Sequence, residues 1–517
     1  MARVTKVILA VVAAATLAAS ACGGGGNSPA ATGEPRPGGA ATFLVNKEPR
    51  TLDPATLSNL GPQDGALGNA LYGQLVGTDP ADHSIVPKLA QSLESKDGIE
   101  WTLTLRAGLT FSDGSPFDAG AVQFAWDRMK DPAVGALDGG YARTVAATEV
   151  TSPATLSIRL SEPTRQFGQT LATTAMNWIA SPAAVEKGAA AFDANPIGAG
   201  PFTLDSWSRG GDIVLAKNPS YYDAPRPYLD RLTIRAMADQ NQRLSTLQSG
   251  GADLILSLSA GDRPTAEAAG FVVTPVDQSG GLAFVLNNAA APFDDIRARR
   301  AVNAALDLDA LNDVRNRGNG TVPTSLFTET SPYHDPALGL PGHDPGLAQR
   351  LFDELAAEGK PVRFSILAYP TTENQRGAQA VQSQLSTFAN VQVDVETGDY
   401  AAIGAKLAAG DYEFGITGIN SFEPEPIFSR RLQSGSTANF AEVADPELDE
   451  ALRLGRMATD EGQRTEAYRK LQERFIELLP MILYTRNETA VIAAPTVGGV
   501  ALSGIDAPLV DTLWVTG

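Results

Sequence analysis

Apolar positions along this chain recur with a period of two in some segments and of three to four in others. Trp101-Thr102-Leu103-Thr104-Leu105 alternates strictly, the period of a half-buried strand. Leu109 and Phe111 follow beyond Ala107-Gly108, so the segment reads as a hairpin closed at its far end by the Ser112-Asp113-Gly114-Ser115 turn. Asp118 then stands as an N-cap before a helix with Val122, Trp126 and Met129 on one face. Late in the chain, Tyr468, Leu471, Phe475 and Leu478/Leu479 mark an amphipathic helix ending before Pro480. Met481-Ile482-Leu483-Tyr484 follows as a buried strand. Strands and helices that alternate in this way predict an α/β or α+β class rather than all-α or all-β.

Length and charge narrow the possibilities. At about 100–200 residues per domain, 517 residues suggest two to four domains. No internal repeat is visible, and after Pro37 no low-complexity stretch is long enough to be a tether, so the domains should be joined by short crossings. Lys and Arg number 40 against 59 Asp and Glu, a net charge of −19, which argues against a nucleic-acid partner. One cysteine and three histidines leave little material for a zinc site, a redox centre or a disulfide framework.

The N-terminus carries its own pattern. Arg3 and Lys6 precede the apolar run Val7–Ala19, and Ala19-Ser20-Ala21 leads into Cys22. That is the layout of a secretory signal, residues 1–21, and the run is shorter than the ~20 apolar residues of a membrane span. Cys22 is the only cysteine, and an exported chain cannot use it for an internal disulfide. The arrangement resembles a bacterial lipoprotein signal, in which this cysteine is lipidated and becomes the mature N-terminus; Ala19 departs from it where Leu is usual. A retained anchor and an unmodified thiol are the alternatives. Gly23–Pro37 has no aromatic or large aliphatic residue, and as a flexible coil it would reach roughly 20 Å from a lipid surface. The folded part should begin near Gly38.

A set of ordered landmarks then resembles one family. Leu71-Tyr72, Leu75-Val76 and Val86-Pro87-Lys88-Leu89-Ala90 come first, followed by Trp101–Asp127 with its Leu-Arg, Phe-Ser-Asp-Gly and Asp-x-x-x-Val elements. Pro196–Phe202, Asn218-Pro219-Ser220-Tyr221-Tyr222, and Arg243 with Leu247 and Gly250–Asp253 continue the series. Phe293–Ala301, Ala305-Leu306-Asp307 and Asp445–Asp449 complete it. In this order, from about residue 40 to 500, they resemble the extracytoplasmic solute-binding proteins of family 5, which serve ABC importers of oligopeptides, dipeptides or nickel. Most of these residues should be scaffold: glycines and prolines set turns, Asp113 and Asp118 cap a turn and a helix, and Arg106 pairs with a neighbouring carboxylate.

The resemblance implies a two-lobed α/β chain of the periplasmic-binding-protein type II fold with an additional inserted domain (three domains, cluster C type). Transferred here, lobe I comprises 38–73, 175–280 and 486–517, the inserted domain 74–174, and lobe II 281–485. The ligand lies between the lobes, and peptide binders of the family read it through backbone groups. The implied ligand-binding segments are Ser58-Asn59-Leu60, Ala283-Phe284 and Gly418-Ile419-Asn420. Asn177-Trp178 is a further candidate, with core packing as the other reading of Trp178.

One departure stands out. Peptide-binding relatives often place an aspartate where this chain has Ile419, to pair with the free α-amine of the ligand, and an isoleucine cannot compensate a buried ammonium. Ile416 likewise stands where an aromatic is common. Glu423 or Glu425 could substitute, and both also fit a solvated loop. Nickel fits poorly, since His83, His334 and His343 are scattered surface candidates.

The implied function is a monomeric, lipid-anchored receptor on the extracytoplasmic face of the cell membrane. It would deliver a peptide or peptide-like solute to a permease and ATPases on other chains, with no cofactor and no catalytic step. No G-x-x-x-x-G-K-[ST], H-E-x-x-H or G-x-S-x-G motif occurs. An exported hydrolase would need a nucleophile and base that isolated histidines do not supply, although an acidic pair would pass unnoticed. The missing amine anchor motivates a second reading, an envelope scaffold or regulatory lipoprotein that keeps the fold without transport.

Overall fold

The computed structural model describes residues 33–516, except 60, 81, 504 and 505. The signal segment, Cys22 and Leu60 lie outside the described residues. Among the described residues no helix is long and apolar enough to cross a membrane.

The largest sheet has seven strands in the order Val272–Pro275, Ala490–Ala493, Leu254–Ser257, Ala40–Val45, Arg231–Ala236, Ile213–Lys217 and Phe202–Trp207. Ala40–Val45 runs parallel to both of its neighbours, so three strands end along the same edge. Successive side chains of a strand point to opposite faces, and here both faces are covered. Phe43 and Val45 enter one core, while Leu44 joins Leu244, Ile255 and Ile492 in another.

The second sheet has five strands: Val391–Thr397, Val362–Ala368, Phe414–Gly418, Leu282–Leu286 and Met481–Thr485. Val362–Ala368 is parallel to Val391–Thr397 and to Phe414–Gly418. Alternation again divides a strand between two cores. Phe284 and Leu286 pack with Phe293, Phe364 and Phe414, and Ala283 and Val285 pack with Phe428 and Tyr468. This is a type II α/β architecture, as the sequence implied.

A four-stranded antiparallel sheet, Ala90–Ser95, Glu100–Leu105, Thr155–Leu160 and Val145–Ser152, forms the additional unit. Helix Ala119–Lys130 lies over it, capped by Asp118, with Val122, Trp126 and Met129 buried. The expected hairpin takes a different form. Glu100–Leu105 pairs with strands on both sides, whereas Leu109 and Phe111 turn inward after Gly108 (φ 74°) and the Ser112–Ser115 turn closes on a single bridge, Thr110 to Pro116. Two flanking partners complete the ladder of Glu100–Leu105, so nothing is left for a return strand. Arg106 also differs: its guanidinium donates to the Lys88 carbonyl and lies 5.4 Å from the Tyr222 ring centroid, with no carboxylate partner among the described residues.

The chain passes between the two larger sheets at residues 276–281 and 486–489. Asn487 Nδ2 donates to Gln278 Oε1 at 2.5 Å and ties the crossings together. Arg486 donates to the carbonyls of Gly280 (2.5 Å), Ser325 (2.9 Å) and Leu326 (3.1 Å), fixing the second crossing to the five-stranded side.

Much of the acidic excess has a local use. Asp118, Asp239, Asp295, Asp307, Asp344, Asp399, Asp445 and Asp460 each start an α-helix and accept a backbone N–H. Each such cap is worth about 0.5–2 kcal/mol.

Candidate functional site

Parallel strands place their carboxyl ends together, and in open α/β sheets the loops that leave those ends form the ligand crevice. Both larger sheets obey this. Asn46 follows Ala40–Val45, Ala238–Asn241 follow Arg231–Ala236, and Leu258 follows Leu254–Ser257. From the other sheet, Tyr369–Asn374 follow Val362–Ala368, and Gly418 and Asn420 close Phe414–Gly418. These segments line one cleft of about 650 Å³, with Asn487, Glu488 and Thr489 of the second crossing also in its wall. That volume suits a small solute of peptide size.

Its charged groups divide into satisfied and unsatisfied ones. Arg315 and Glu488 form an ion pair whose side chains are 5% and 3% exposed, and Asn316 Nδ2 and Thr485 Oγ1 also donate to Glu488. Arg243 is 1% exposed and spends its donors on the carbonyls of Leu256 (3.0 Å), Met237 (2.5 Å) and Ala238 (3.0 Å) and on Gln240. Burial pushes its guanidinium down to about 10. Arg431 is pushed down to about 10 for the same reason, with only a 3.4 Å bond to the Ala438 carbonyl and the Phe440 ring at 5.1 Å.

Asp506 is the reverse case. It is 5% exposed, its Oδ1 has no hydrogen-bond partner, and burial pushes its carboxyl up to about 7, opposed by bonds from Thr489 and Asn487. The amide oxygens of Asn46 and Asn420, on opposite walls, are also buried without partners. Tyr369 and Tyr400 stack at 4.9 Å, and Tyr400 keeps 46% of its surface exposed in the cleft. The cleft thus offers unpaired acceptors, one under-neutralised cation and an aromatic face.

The residues singled out from sequence fall in different places. Gly418 and Asn420 line this cleft. Ile419 between them is fully buried in the core with Phe428 and Tyr468, and Ala283 and Phe284 are equally buried on opposite faces of their strand. Asn59 donates to the carbonyls of Ala172 (3.0 Å) and Thr174 (3.2 Å), and the Ser58 amide donates to Asp64 at 3.3 Å. Asn177 bonds the Val76 backbone in both directions, at 3.0 and 2.9 Å. Trp178 is 1% exposed and donates to Asn69 Oδ1 at 3.0 Å. Ser58, Asn59, Asn177, Trp178, Ala283, Phe284 and Ile419 are not among the residues that line the cleft.

Glu423 and Glu425 are not in a solvated loop. Glu423 pairs with Arg464, and Glu425 is buried and accepts from Ser429 Oγ at 2.6 Å. His83 stacks on Phe422 at 3.7 Å, His334 Nδ1 lies 3.3 Å from the Phe327 carbonyl, and His343 is exposed. Among the described residues no group of three His, Cys, Asp or Glu is placed to hold a metal.

Sequence reasoning missed Tyr369, Tyr400, Arg431 and Asp506. The loop after Val362–Ala368 had a usable signal, an apolar strand running into the N-cap Thr371. Nothing near Asp506 in sequence marks it.

Comparison with known proteins agrees with this architecture. Residues 84–440 match the bacterial extracellular solute-binding proteins, family 5 middle region. The glutathione-binding protein GsiB of Escherichia coli (strain K12) is 28% identical over 448 residues, covering 84% of this chain and 86% of that one. The periplasmic binding protein AgaA of A. tumefaciens R10, solved with agropinic acid, superposes with a TM-score of 0.82 at 24% identity, covering 93% of this chain and 99% of that one. The dipeptide-binding protein of Pseudoalteromonas sp. SM9913, solved with Met-Leu, gives 0.82 at 21% identity, covering 92% and 100%. With more than half its length matched, and with the two-lobed type II fold shared by these structures, the chain belongs to the bacterial extracellular solute-binding proteins of family 5.

Proposed function

We propose that this protein is a lipid-anchored receptor that captures a peptide or peptide-like solute between its lobes and delivers it to an ABC importer. The observation that carries the reading is the cleft itself. Strand ends from both large sheets converge on it, and only two short crossings join the sheets among the described residues. Two bodies on short crossings can close by a hinge, which buries the ligand and strengthens its polar contacts. Relatives named for glutathione and for a bound dipeptide support the solute class. The permease and ATPases belong to other chains, the receptor acts as a monomer, and no bond is made or broken.

The membrane attachment rests on Cys22 and the lipoprotein-like segment before it. Metabolic labelling with a fatty acid should mark the wild type and not Cys22→Ser, which should leave the membrane fraction.

The receptor reading is tested by small-angle scattering and thermal unfolding with a mixed di- and tripeptide library. A contraction together with a higher midpoint is expected. The scaffold reading, which the isoleucine at 419 motivates, expects neither.

A further inference from the structure

The four-stranded unit takes no part in the cleft wall, yet it is seated on the lobe opposite its own. Among the described residues, none from Ala90 to Leu160 lines the cleft. Asp138, just ahead of helix Gly139–Thr144, is 2% exposed and faces two ways. Its Oδ2 accepts the Ala175 amide at 2.8 Å, and its Oδ1 pairs with Arg430 Nη1 of helix Ile427–Leu432 at 2.9 Å. Tyr141 Oη donates to the Pro426 carbonyl at 3.0 Å, and its ring centroid lies 5.9 Å from the Arg430 guanidinium. A second contact follows strand Thr155–Leu160. There the Arg165 amide donates to the Arg456 carbonyl at 3.3 Å, and Glu162 Oε1 lies 3.6 Å from Arg456 Nη2.

The two sides of this contact belong to different bodies. One continuous core runs from Phe43 of the seven-stranded sheet to Leu103 and Trp126 of the four-stranded unit, and Trp126 Nε1 donates to the Met176 carbonyl at 2.8 Å. Phe428 and Leu432, on the Arg430 helix, pack in a core of the five-stranded side. Asp138 and Arg430 are 292 positions apart, and the chain passes between the large sheets only at the two crossings already described. Any opening about those crossings therefore breaks the contacts with Arg430, Pro426 and Arg456 and leaves the shared core intact. The same short helix serves both places, since Arg430 holds the four-stranded unit and the next residue, Arg431, lines the cleft.

We propose that the four-stranded unit is a clasp: by holding helix Ile427–Leu432 through Asp138 and Tyr141, it sets how long the closed cleft keeps its solute without touching that solute. This rests on the receptor reading and adds what governs closure. The pair is nearly dry in the closed form, where Asp138 has a donor for each oxygen, and both partners are wetted when the lobes part. Removing the Arg430 charge leaves Asp138 buried and uncompensated only while the protein is closed. The penalty thus falls on the closed form alone and shifts the balance toward the open one. A smaller closed fraction lowers apparent affinity in proportion. Asp138, Tyr141 and Arg430 are positioning residues in this scheme.

The test is amide hydrogen exchange on the full-length protein with and without a mixed di- and tripeptide library. Retention of bound peptide after dilution is read in parallel by native mass spectrometry. Peptide should slow exchange in the cleft loop Tyr369–Asn374 and also in helix Gly139–Thr144, which lies outside the cleft wall. In Arg430→Gln at saturating peptide the cleft loop should stay protected while the helix loses its protection, and bound peptide should leave at least about fivefold faster. Tyr141→Phe, which removes one hydroxyl and no charge, should act in the same direction, and Arg430→Lys should recover part of the retention. Melting curves establish that each variant is folded, and the wild-type exchange pattern decides the matter for any that is not. Protection confined to the cleft loop, or release from Arg430→Gln less than about fivefold faster, overturns the clasp while leaving a peptide receptor in place. No protection anywhere and no bound peptide overturns the clasp together with the receptor reading.

Discussion

Arg315, at the end of helix Leu308–Asn316, and Glu488, on the second crossing, form a nearly dry ion pair in the wall of the cleft. The Arg315 guanidinium also lies 5.3 Å from the Tyr484 ring centroid. The pair ties helix Leu308–Asn316 to the segment that crosses from the five-stranded to the seven-stranded sheet. The charges around Arg315 hold it protonated despite burial. Glu488→Gln leaves that cation without a counter-charge and should cost about 3–5 kcal/mol in chemical denaturation. A loss under about 1 kcal/mol would show that water reaches the site.

Burial of Asp506 predicts a stability that depends on pH. Its folded-state value of about 7 lies above the ordinary 3.8, so the penalty for ionising it is absent below about pH 4. The penalty grows as pH rises and levels off above pH 7, reaching on the order of 4 kcal/mol. Asp506→Asn should therefore raise the melting midpoint at pH 8 and leave it almost unchanged at pH 4. An equal shift at both values would remove ionisation as the cause.

Asn177 is a test of scaffold against site. Removing its side chain leaves the Val76 N–H and carbonyl, both buried, without partners. Asn177→Ala should destabilise by about 2–4 kcal/mol while ligand affinity stays within about threefold. A large affinity loss with unchanged stability would return Asn177 to the ligand.

Gly68 is set by contact rather than by backbone conformation. A Cβ there would sit 2.4 Å from the Trp178 indole. In a helix, Ala is better than Gly by about 1 kcal/mol, yet overpacking a rigid indole costs about 1–3 kcal/mol. Gly68→Ala should therefore lower stability, and a gain would mean that the helix Pro62–Tyr72 shifts freely.

What was legible in the sequence is what is encoded locally. Asp118, Val122, Trp126 and Met129 carry their helix in their own spacing, as do Tyr468, Leu471 and Phe475. The ordered landmarks carried the architecture. The candidate site was legible only in Gly418 and Asn420, next to a strand end. Asn177 and Trp178 have the chemistry of ligand contacts, but the same amide and indole serve equally well to satisfy a buried backbone and fill a core. Asp506 and Arg431 are brought to one cleft by the return of the C-terminal segment to the first lobe, a relationship that no window of sequence contains.

The central claim is that the cleft receives a peptide or peptide-like solute between the two lobes. Its most direct test is native mass spectrometry of the protein isolated undenatured from its own host, followed by identification of what unfolding releases. The account predicts a bound species, or a ladder of them, of peptide or peptide-like chemistry. An empty cleft and no stabilisation by any peptide would contradict it.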